Sequence, residues 1–368
     1  MGYRFFGASL DALDAPEKVN LKRAYLRFAA AGFEREDRFK DPYDVLAFDL
    51  FDVFWRRGDV IPAGKLKVET WLTPKPSPCD MERMEPAAFA GFLDSGGCRT
   101  YADAVRRFVA GEVFPDLPIM AGVDHSLTGG ALAALSGRYG ADGLTAIVLD
   151  SHFDAVPLDV RLAAASVVMG APTPAVPPSG GGAGARPDAA RRGAYTCGNF
   201  LEFLLDEGTL KHSNLVVAGV SDYPHPRTTD TGGEELKAFA ECYLGFERRG
   251  VRFLTRAQIE DDAVFPLCFE RILDGVRTKG AYVSLDADAG AHRGIYAARF
   301  ADVIGVGEER LYEIAERIRA RVERGQFELA GFDLMEMDVH LMGLRTPGGI
   351  EDRTGEICAG FARRLLGI

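Results

Sequence analysis

The sequence predicts an α/β protein with three layers, α/β/α, around a central and mostly parallel sheet. Short, β-branched and nearly uncharged runs recur along the chain: LPIMAGV before Asp124, LTAIVL before Asp150, NLVVAGV at Asn214 to Val220 and AYVSL before Asp286. Strands buried on both faces have this composition. Segments with helical spacing separate the runs, so the order is βα repeated, and a parallel sheet covered by helices satisfies that order. Polar clusters follow the runs directly: GVDHS at Gly122 to Ser126, DSHFD at Asp150 to Asp154, and DAD at Asp286 to Asp288. They stand where α/β sheets bind ligands, at the carboxyl ends of strands.

In chain order, Glu17 to Ala31 has helical spacing, and VLAFDLFDVF at Val45 to Phe54 reads as a strand continuing into a loop. WLTPKPSPCD at Trp71 to Asp80 is proline-rich loop, and Pro86 to Leu93 and Tyr101 to Val109 read as helices. Ala171 to Gly193 is a Gly/Pro-rich, low-complexity insertion within the domain. It reads as a lid over the substrate or as a passive surface loop. In the last third the pattern gives a strand at Asn214 to Val220 and a helix at Gly232 to Arg249. Helical spacing follows at Thr255 to Gly275 and Glu308 to Glu323, with a strand before Asp333. In the closing helix, Thr354 to Leu365, the apolar Ile357, Phe361 and Leu365 pack on the sheet or on another subunit. The expectation is a single domain over 1–368 with a divergent first part, 1–117, and a homo-oligomer as the assembled form.

Composition removes several function classes. A hydrophobic content of 47% and a charged content of 26% are those of a globular protein, which sets aside global disorder. The net charge of −11 opposes binding to nucleic acid or to an anionic membrane surface, and favours chemistry on small molecules. No signal peptide and no apolar run of roughly 20 residues is evident, so a cytoplasmic location is expected. Cys79, Cys98, Cys197, Cys242, Cys268 and Cys358 form no CxxC pair and read as free thiols.

The polar clusters carry the chemistry. In DSHFD the side chains of Asp150, His152 and Asp154 recur with a period of two, which an extended backbone turns to one face. Gathering Asp150, Asp154, Asp286 and Asp288 in one buried pocket is very unfavourable without cations. Two divalent ions neutralise them. With His125 and His152 the donor set suits manganese, other divalent transition metals being possible.

At these residues the chain resembles the ureohydrolase family of arginase, agmatinase and formimidoylglutamase, whose motifs read GGDHS, DAHxD and SxDxD in the same order. The similarity spans about Pro118 to His340. It implies an arginase-type fold and two Mn2+ ions, one held by His125, Asp150, Asp154 and Asp286, the other by Asp150, His152, Asp286 and Asp288. Asp150 and Asp286 are the implied bridges, and a hydroxide between the metals the implied nucleophile. GFDLMEMD at Gly331 to Asp338 is similar to the family's GLDIMEVN, which implies that Glu336 contacts the substrate's guanidinium.

Departures from the family pattern bear on the substrate. Cys197, in YTCGNF, stands where the family has a proton-relaying histidine. A thiol takes that role only with its pKa moved down, and an inert buried Cys197 is the alternative. Val156 replaces an asparagine that holds an amino-acid head group in arginases, and Pro224, after Asp222, replaces an aspartate. The segment after Asp288 lacks the Asp-Pro and Gly-Thr-Gly-Thr-Pro signature, and its His292 and Arg293 either select an anionic substrate end or are exposed loop residues. The resemblance therefore implies an agmatinase-like hydrolase of a guanidino or amidino small molecule that releases urea. The alternatives are a formimidoylglutamase-like enzyme and a catalytically inactive metal-binding member. Asp154, Cys197 and Glu336 are the expected catalytic residues.

Overall fold

The apolar runs form the middle of an eight-stranded sheet in which every neighbouring pair is parallel. This computed structural model describes residues 2–32, 39–54, 60–168, 193–225, 227–228, 233–301, 303–346 and 348–368. The strands are β1 (Tyr3–Ala8), β2 (Val60–Lys65), β3 (Leu117–Gly122), β4 (Leu144–Leu149), β5 (Leu215–Val220), β6 (Arg252–Thr255), β7 (Gly280–Asp286) and β8 (Glu328–Met335). Their spatial order is β2-β1-β3-β8-β7-β4-β5-β6. Every residue of β3, β4, β5 and β7 is buried, which is why their sequences run apolar without alternating. The edge strand β2 contains Pro62, whose ring has no amide to donate, and the interior strand β3 carries a proline, Pro118, only at its second position.

Helices among the described residues are α1 (Pro16–Ala30), α2 (Pro42–Phe54), α3 (Pro86–Asp94), α4 (Gly97–Phe108), α5 (Thr128–Tyr139), α6 (Leu158–Val168), α7 (Phe200–Asp206), α8 (Glu234–Arg248), α9 (Arg256–Glu260), α10 (Phe265–Asp274), α11 (Glu308–Glu323) and α12 (Thr354–Leu366). Alternation along the strands sorts side chains into two cores. Met120, Val148 and Tyr282 pack with residues of α1, α3, α4, α5, α7 and α8, whereas Ile147, Leu149 and Leu285 pack with residues of α2, α10, α11 and α12. Ile357, Phe361 and Leu365 of α12 are buried in the second core, so this helix spends its apolar face on its own sheet. Each such side chain contributes about 1.5–3 kcal/mol of transfer free energy.

One element departs from expectation. The segment expected as a strand, Val45 to Phe54, belongs to α2. The deciding signal lies upstream: Asp41 accepts the amide of Asp44 at 3.2 Å and Asp44 accepts that of Lys40 at 2.9 Å, which caps a helix starting at Pro42. The Gly/Pro-rich segment 171–193 lies outside the described residues apart from Gly193. No described helix is long and apolar enough to cross a membrane.

Strand order builds the site. β3, β8, β7 and β4 are consecutive in the sheet. The residues at or just beyond their carboxyl ends, Asp124, Glu336, Asp286 and Asp150, are therefore neighbours across strands spaced about 4.8 Å apart. The crossing is tight at Gly122, where a Cβ would lie 2.7 Å from the Ala8 carbonyl oxygen and 2.7 Å from Met335. Only glycine fits there.

Candidate metal centre

Each strand-end aspartate folds its own turn. Asp124 Oδ1 accepts the amide of Ser126 at 3.2 Å, Asp150 Oδ1 that of His152 at 2.7 Å, and Asp286 Oδ1 that of Asp288 at 2.8 Å. The period-two spacing thus comes from Asx turns, and the extended backbone expected through DSHFD is corrected: β4 ends at Leu149, and Asp288 sits on a 3-10 turn. At Asp150 and Asp286 the turn and ligand readings coincide, because one carboxylate oxygen caps while the other faces His125, whereas Asp124 turns its second oxygen to Arg299. Ser151 ties the two turns together, its amide donating to Asp288 Oδ1 at 3.0 Å and its hydroxyl to the Asp288 carbonyl at 2.8 Å.

His125 is fully buried at the centre. Its Nδ1 faces three carboxylate oxygens: Asp286 Oδ2 at 3.0 Å, Asp154 Oδ2 at 3.1 Å and Asp150 Oδ2 at 3.4 Å. Beside it, His152 Nδ1 lies 2.7 Å from Asp288 Oδ2 and 3.8 Å from Asp150 Oδ1. Two sets of donor atoms close enough to share an ion emerge, His125 with Asp150 and Asp286, and Asp150 with His152 and Asp288. Asp150 is common to both. His125 Nδ1 and Asp150 Oδ2 are buried and accept or donate no hydrogen bond among the described residues. A cation resolves that deficit, so the residues fit the metal ions.

The tautomer of His125 is set from behind. Its Nε2 lies 2.9 Å from Ser284 Oγ, and that hydroxyl donates to Asp333 Oδ1 at 2.5 Å. Asp333 Oδ2 accepts from Thr128 at 2.6 Å and from Tyr282 at 2.8 Å. With Ser284 committed as a donor to Asp333, its oxygen accepts from Nε2–H, which leaves the Nδ1 lone pair for a metal. Ser284→Ala is expected to weaken metal binding about 10–100-fold while leaving the fold intact. Chelator competition with circular dichroism checks this, and an unchanged affinity would discard the orienting role.

Without ions the site is held by protons. Burial, with the charges of Asp154 and Asp288, pushes Asp150 up to about 8, and burial with Asp288, Glu336 and Asp150 raises Asp286 well above the usual carboxylate range. Burial alone would lower His125, but the carboxylates of Asp150, Asp154 and Asp286 outweigh it and leave the imidazole well above its ordinary value. Asp288 runs the other way: burial opposes its ionisation, yet His152 holds it below the usual range. At Asp150 the native state binds a proton that the unfolded chain has released, so its contribution declines as pH rises from 3.8 to about 8, and the raised imidazole of His125 adds a decline that starts above 6.5. Metal-free protein is expected to lose thermal stability over that range, and metal uptake near pH 7 to expel protons. Calorimetry in buffers of different ionisation heat reads the protons directly; heats independent of buffer would contradict it.

Glu336 follows β8 with a left-handed backbone, φ +58°, and is 2% exposed. A buried glutamate in that conformation is strained unless its surroundings enforce it. They do: the Arg299 amide donates to the Glu336 carbonyl at 2.7 Å and the Asp338 amide to the Ala297 carbonyl at 2.8 Å. Burial lifts Glu336 to about 8 against the pull of Arg299. Cys197 is half-buried near Asp124, Glu336, Arg299 and Asp154. Burial, with the charges of Asp124 and Glu336, pushes its thiol well above the ordinary value, opposite to the shift that a thiolate relay requires.

Sequence reasoning missed Arg299. It is 4% exposed, with Nη1 2.9 Å from Asp124 Oδ2 and 3.7 Å from Glu336 Oε1, and Nη2 3.3 Å from Asp11 Oδ1. Of the two readings open for His292 and Arg293, the structure gives the exposed one, and His292 contacts the Ala301 carbonyl at 2.7 Å. The missed signal was Asp124 itself, a buried carboxylate beside a metal-binding motif that needs a cation of its own. Val156 is buried in the core, and Asp222 is occupied by the Tyr243 hydroxyl and by Arg161 at 3.8 Å.

Comparison with known proteins bears on this arrangement. A family model described as the arginase family matches residues 59–343, reaching further towards the N-terminus than the motifs alone. Among solved structures, arginase from Bacillus subtilis aligns with TM-score 0.57 and 17% identity over 100% of this chain and 99% of its own. Formimidoylglutamase from Bacillus subtilis subsp. subtilis aligns with TM-score 0.55 and 12% identity over 100% and 86%. Proclavaminate amidino hydrolase from Streptomyces clavuligerus aligns with TM-score 0.54 and 16% identity over 99% and 91%. At these identities the likeness is one of fold. No curated protein sequence matches the chain.

Proposed function

The chain belongs to the arginase family, and from that premise we propose that it is a manganese-dependent hydrolase cleaving a C–N bond of a guanidino or amidino compound. The observation that carries this reading is the pair of orphaned buried atoms, His125 Nδ1 and Asp150 Oδ2, inside a ring of carboxylates. Bound divalent ions supply Lewis acidity and a water made acidic enough to act near neutral pH. His125, Asp150, Asp154, His152, Asp286 and Asp288 hold them, and this oxygen-rich set favours manganese.

The chain's own groups do the rest. Glu336 pairs with the planar cation of the substrate, a contact that charge-assisted hydrogen bonds make directional. Asp154, with Oδ2 directed at His125, shapes the acidic wall around the reacting carbon. Cys197, its thiol held protonated by burial and by the charges of Asp124 and Glu336, takes the inert alternative and lines the wall of the site. Cys197→Ser is expected to leave kcat and metal content unchanged; a loss of about 100-fold or more, the size of a missing general acid, would restore the thiol as the proton donor.

The class is tested by assaying manganese-loaded protein for release of urea, formamide or ammonia from a panel of guanidino and formimino compounds. Agmatine, expected first from the sequence, and formimidoylglutamate, expected second, belong in that panel. Turnover supports the hydrolase. Full metal occupancy without turnover of any member would instead favour a metal-binding protein that has lost catalysis.

A further inference from the structure

The left-handed turn at Glu336 is held by a strap, residues 291–299, that follows the metal turn at Asp288 and lies against the end of β8. The Arg299 amide donates to the Glu336 carbonyl at 2.7 Å and the Asp338 amide to the Ala297 carbonyl at 2.8 Å, which pairs Ala298 with Met337 in an antiparallel bridge. The strap in turn hangs on Asp352, which is 7% exposed. Its Oδ1 accepts the amides of Tyr296 and Ala297, both at 3.0 Å, with the Thr354 hydroxyl at 2.5 Å and the Thr354 amide at 3.3 Å. Its Oδ2 accepts the Gly343 amide at 2.9 Å. Two neighbours reinforce the tie: the Thr354 hydroxyl shares the Ala297 amide at 3.0 Å, and the Arg353 amide donates to the Gly294 carbonyl at 3.0 Å.

An aspartate ahead of a helix ordinarily caps it. Only the Thr354 contacts of Asp352 serve α12 in that way, whereas the amides of Tyr296, Ala297 and Gly343 come from loops 56, 55 and 9 residues away. A buried carboxylate is tolerated when hydrogen bonds satisfy it, and here neutral donors from three segments do so. The Ala297 peptide carries the tie across, because its N–H is held by Asp352 while its carbonyl holds the Asp338 amide. A glutamate with positive φ keeps that conformation only where its surroundings enforce it. We propose that Asp352 is a positioning residue, which through the Ala297 peptide fixes the turn on which Glu336 sits. The inference deepens the hydrolase reading and rests on it for one point, Glu336 as the contact for a planar cation. The metal ligands are held separately, since the turns of Asp150 and Asp286 close on their own carboxylates.

The test compares the metal-loaded parent with Asp352→Ala and Asp352→Asn, by hydrogen exchange resolved at single amides and by titration with methylguanidine, which carries little besides the planar cation. In Asp352→Ala the amides of Arg299 and Asp338, neither bonded to Asp352, are expected to exchange about tenfold faster or more. Methylguanidine should bind about tenfold more weakly with metal content unchanged. Asp352→Asn, which keeps an oxygen for the amides of Tyr296 and Ala297, should restore that affinity to within about threefold of the parent. A merely structural role would lower the unfolding temperature and leave the affinity of the folded protein as it was. Thr354→Val, which removes only the hydroxyl shared with Ala297, should act in the same direction as Asp352→Ala and serves where that variant fails to fold. Unchanged exchange at Arg299 and Asp338 in the folded variant overturns the tie. Faster exchange with unchanged methylguanidine affinity overturns the positioning of Glu336. Faster exchange in a chain whose parent form binds no methylguanidine upholds the tie and overturns Glu336 as the cation contact.

Discussion

Asp150→Ala is expected to yield a protein that holds neither metal ion. Asp150 belongs to both sets of donor atoms, with Oδ2 3.4 Å from His125 Nδ1 and Oδ1 3.8 Å from His152 Nδ1. Removing it takes a charge from each. The loss of affinity should exceed the roughly 10–100-fold that an outer partner such as Ser284 commands. Turnover should fall about a thousandfold or more, since metal activation supplies several kcal/mol of transition-state stabilisation. Asp150→Asn refines the experiment, because its amide oxygen still accepts from the His152 backbone and keeps the turn. Metal analysis after gel filtration decides: two ions retained in either variant would remove Asp150 from its proposed place.

Arg299→Met should cause the largest loss of stability of any single change outside the cores. The guanidinium is buried against Asp124, Asp11 and Glu336, and breaking a buried pair by deleting one partner costs about 3–5 kcal/mol. Most of that cost is the charge left behind. Asp124→Asn in the same chain should therefore recover part of it, with a coupling of about 0.5–3 kcal/mol. Denaturant unfolding of the two single variants and the double variant measures the cycle. Simple additivity would mean that Asp124 and Arg299 do not hold one another.

The parallel sheet and the polar strand ends that the structure gathers, Asp150, Asp286 and their neighbours, were legible in the sequence for a shared reason. A strand buried on both faces must be apolar throughout, so β3, β4 and β7 announce themselves, and anything charged directly after them stands out. Val45 to Phe54 reads as a strand because a run so rich in aromatic and aliphatic residues has no clear helical period; Asp41 and Pro42 carried the information instead. Arg299 was illegible for a different reason. Its partners come from residues 11, 124 and 336, far apart in the chain, while His292 and Arg293 are close to Asp288 in sequence yet exposed. Proximity along a loop does not say which side chain turns inward.

The double service of Asp150 and Asp286 reaches beyond this one chain. Because each folds its own turn through one oxygen, a descendant that gave up hydrolysis would still be selected to retain both, simply to keep its loops in shape. The motif is then a record of architecture as much as of catalysis. When relatives are sorted into living and silenced enzymes, carboxylates that face His125 without capping a turn of their own, such as Asp154 with Oδ2 3.1 Å from its Nδ1, are the more telling markers to follow.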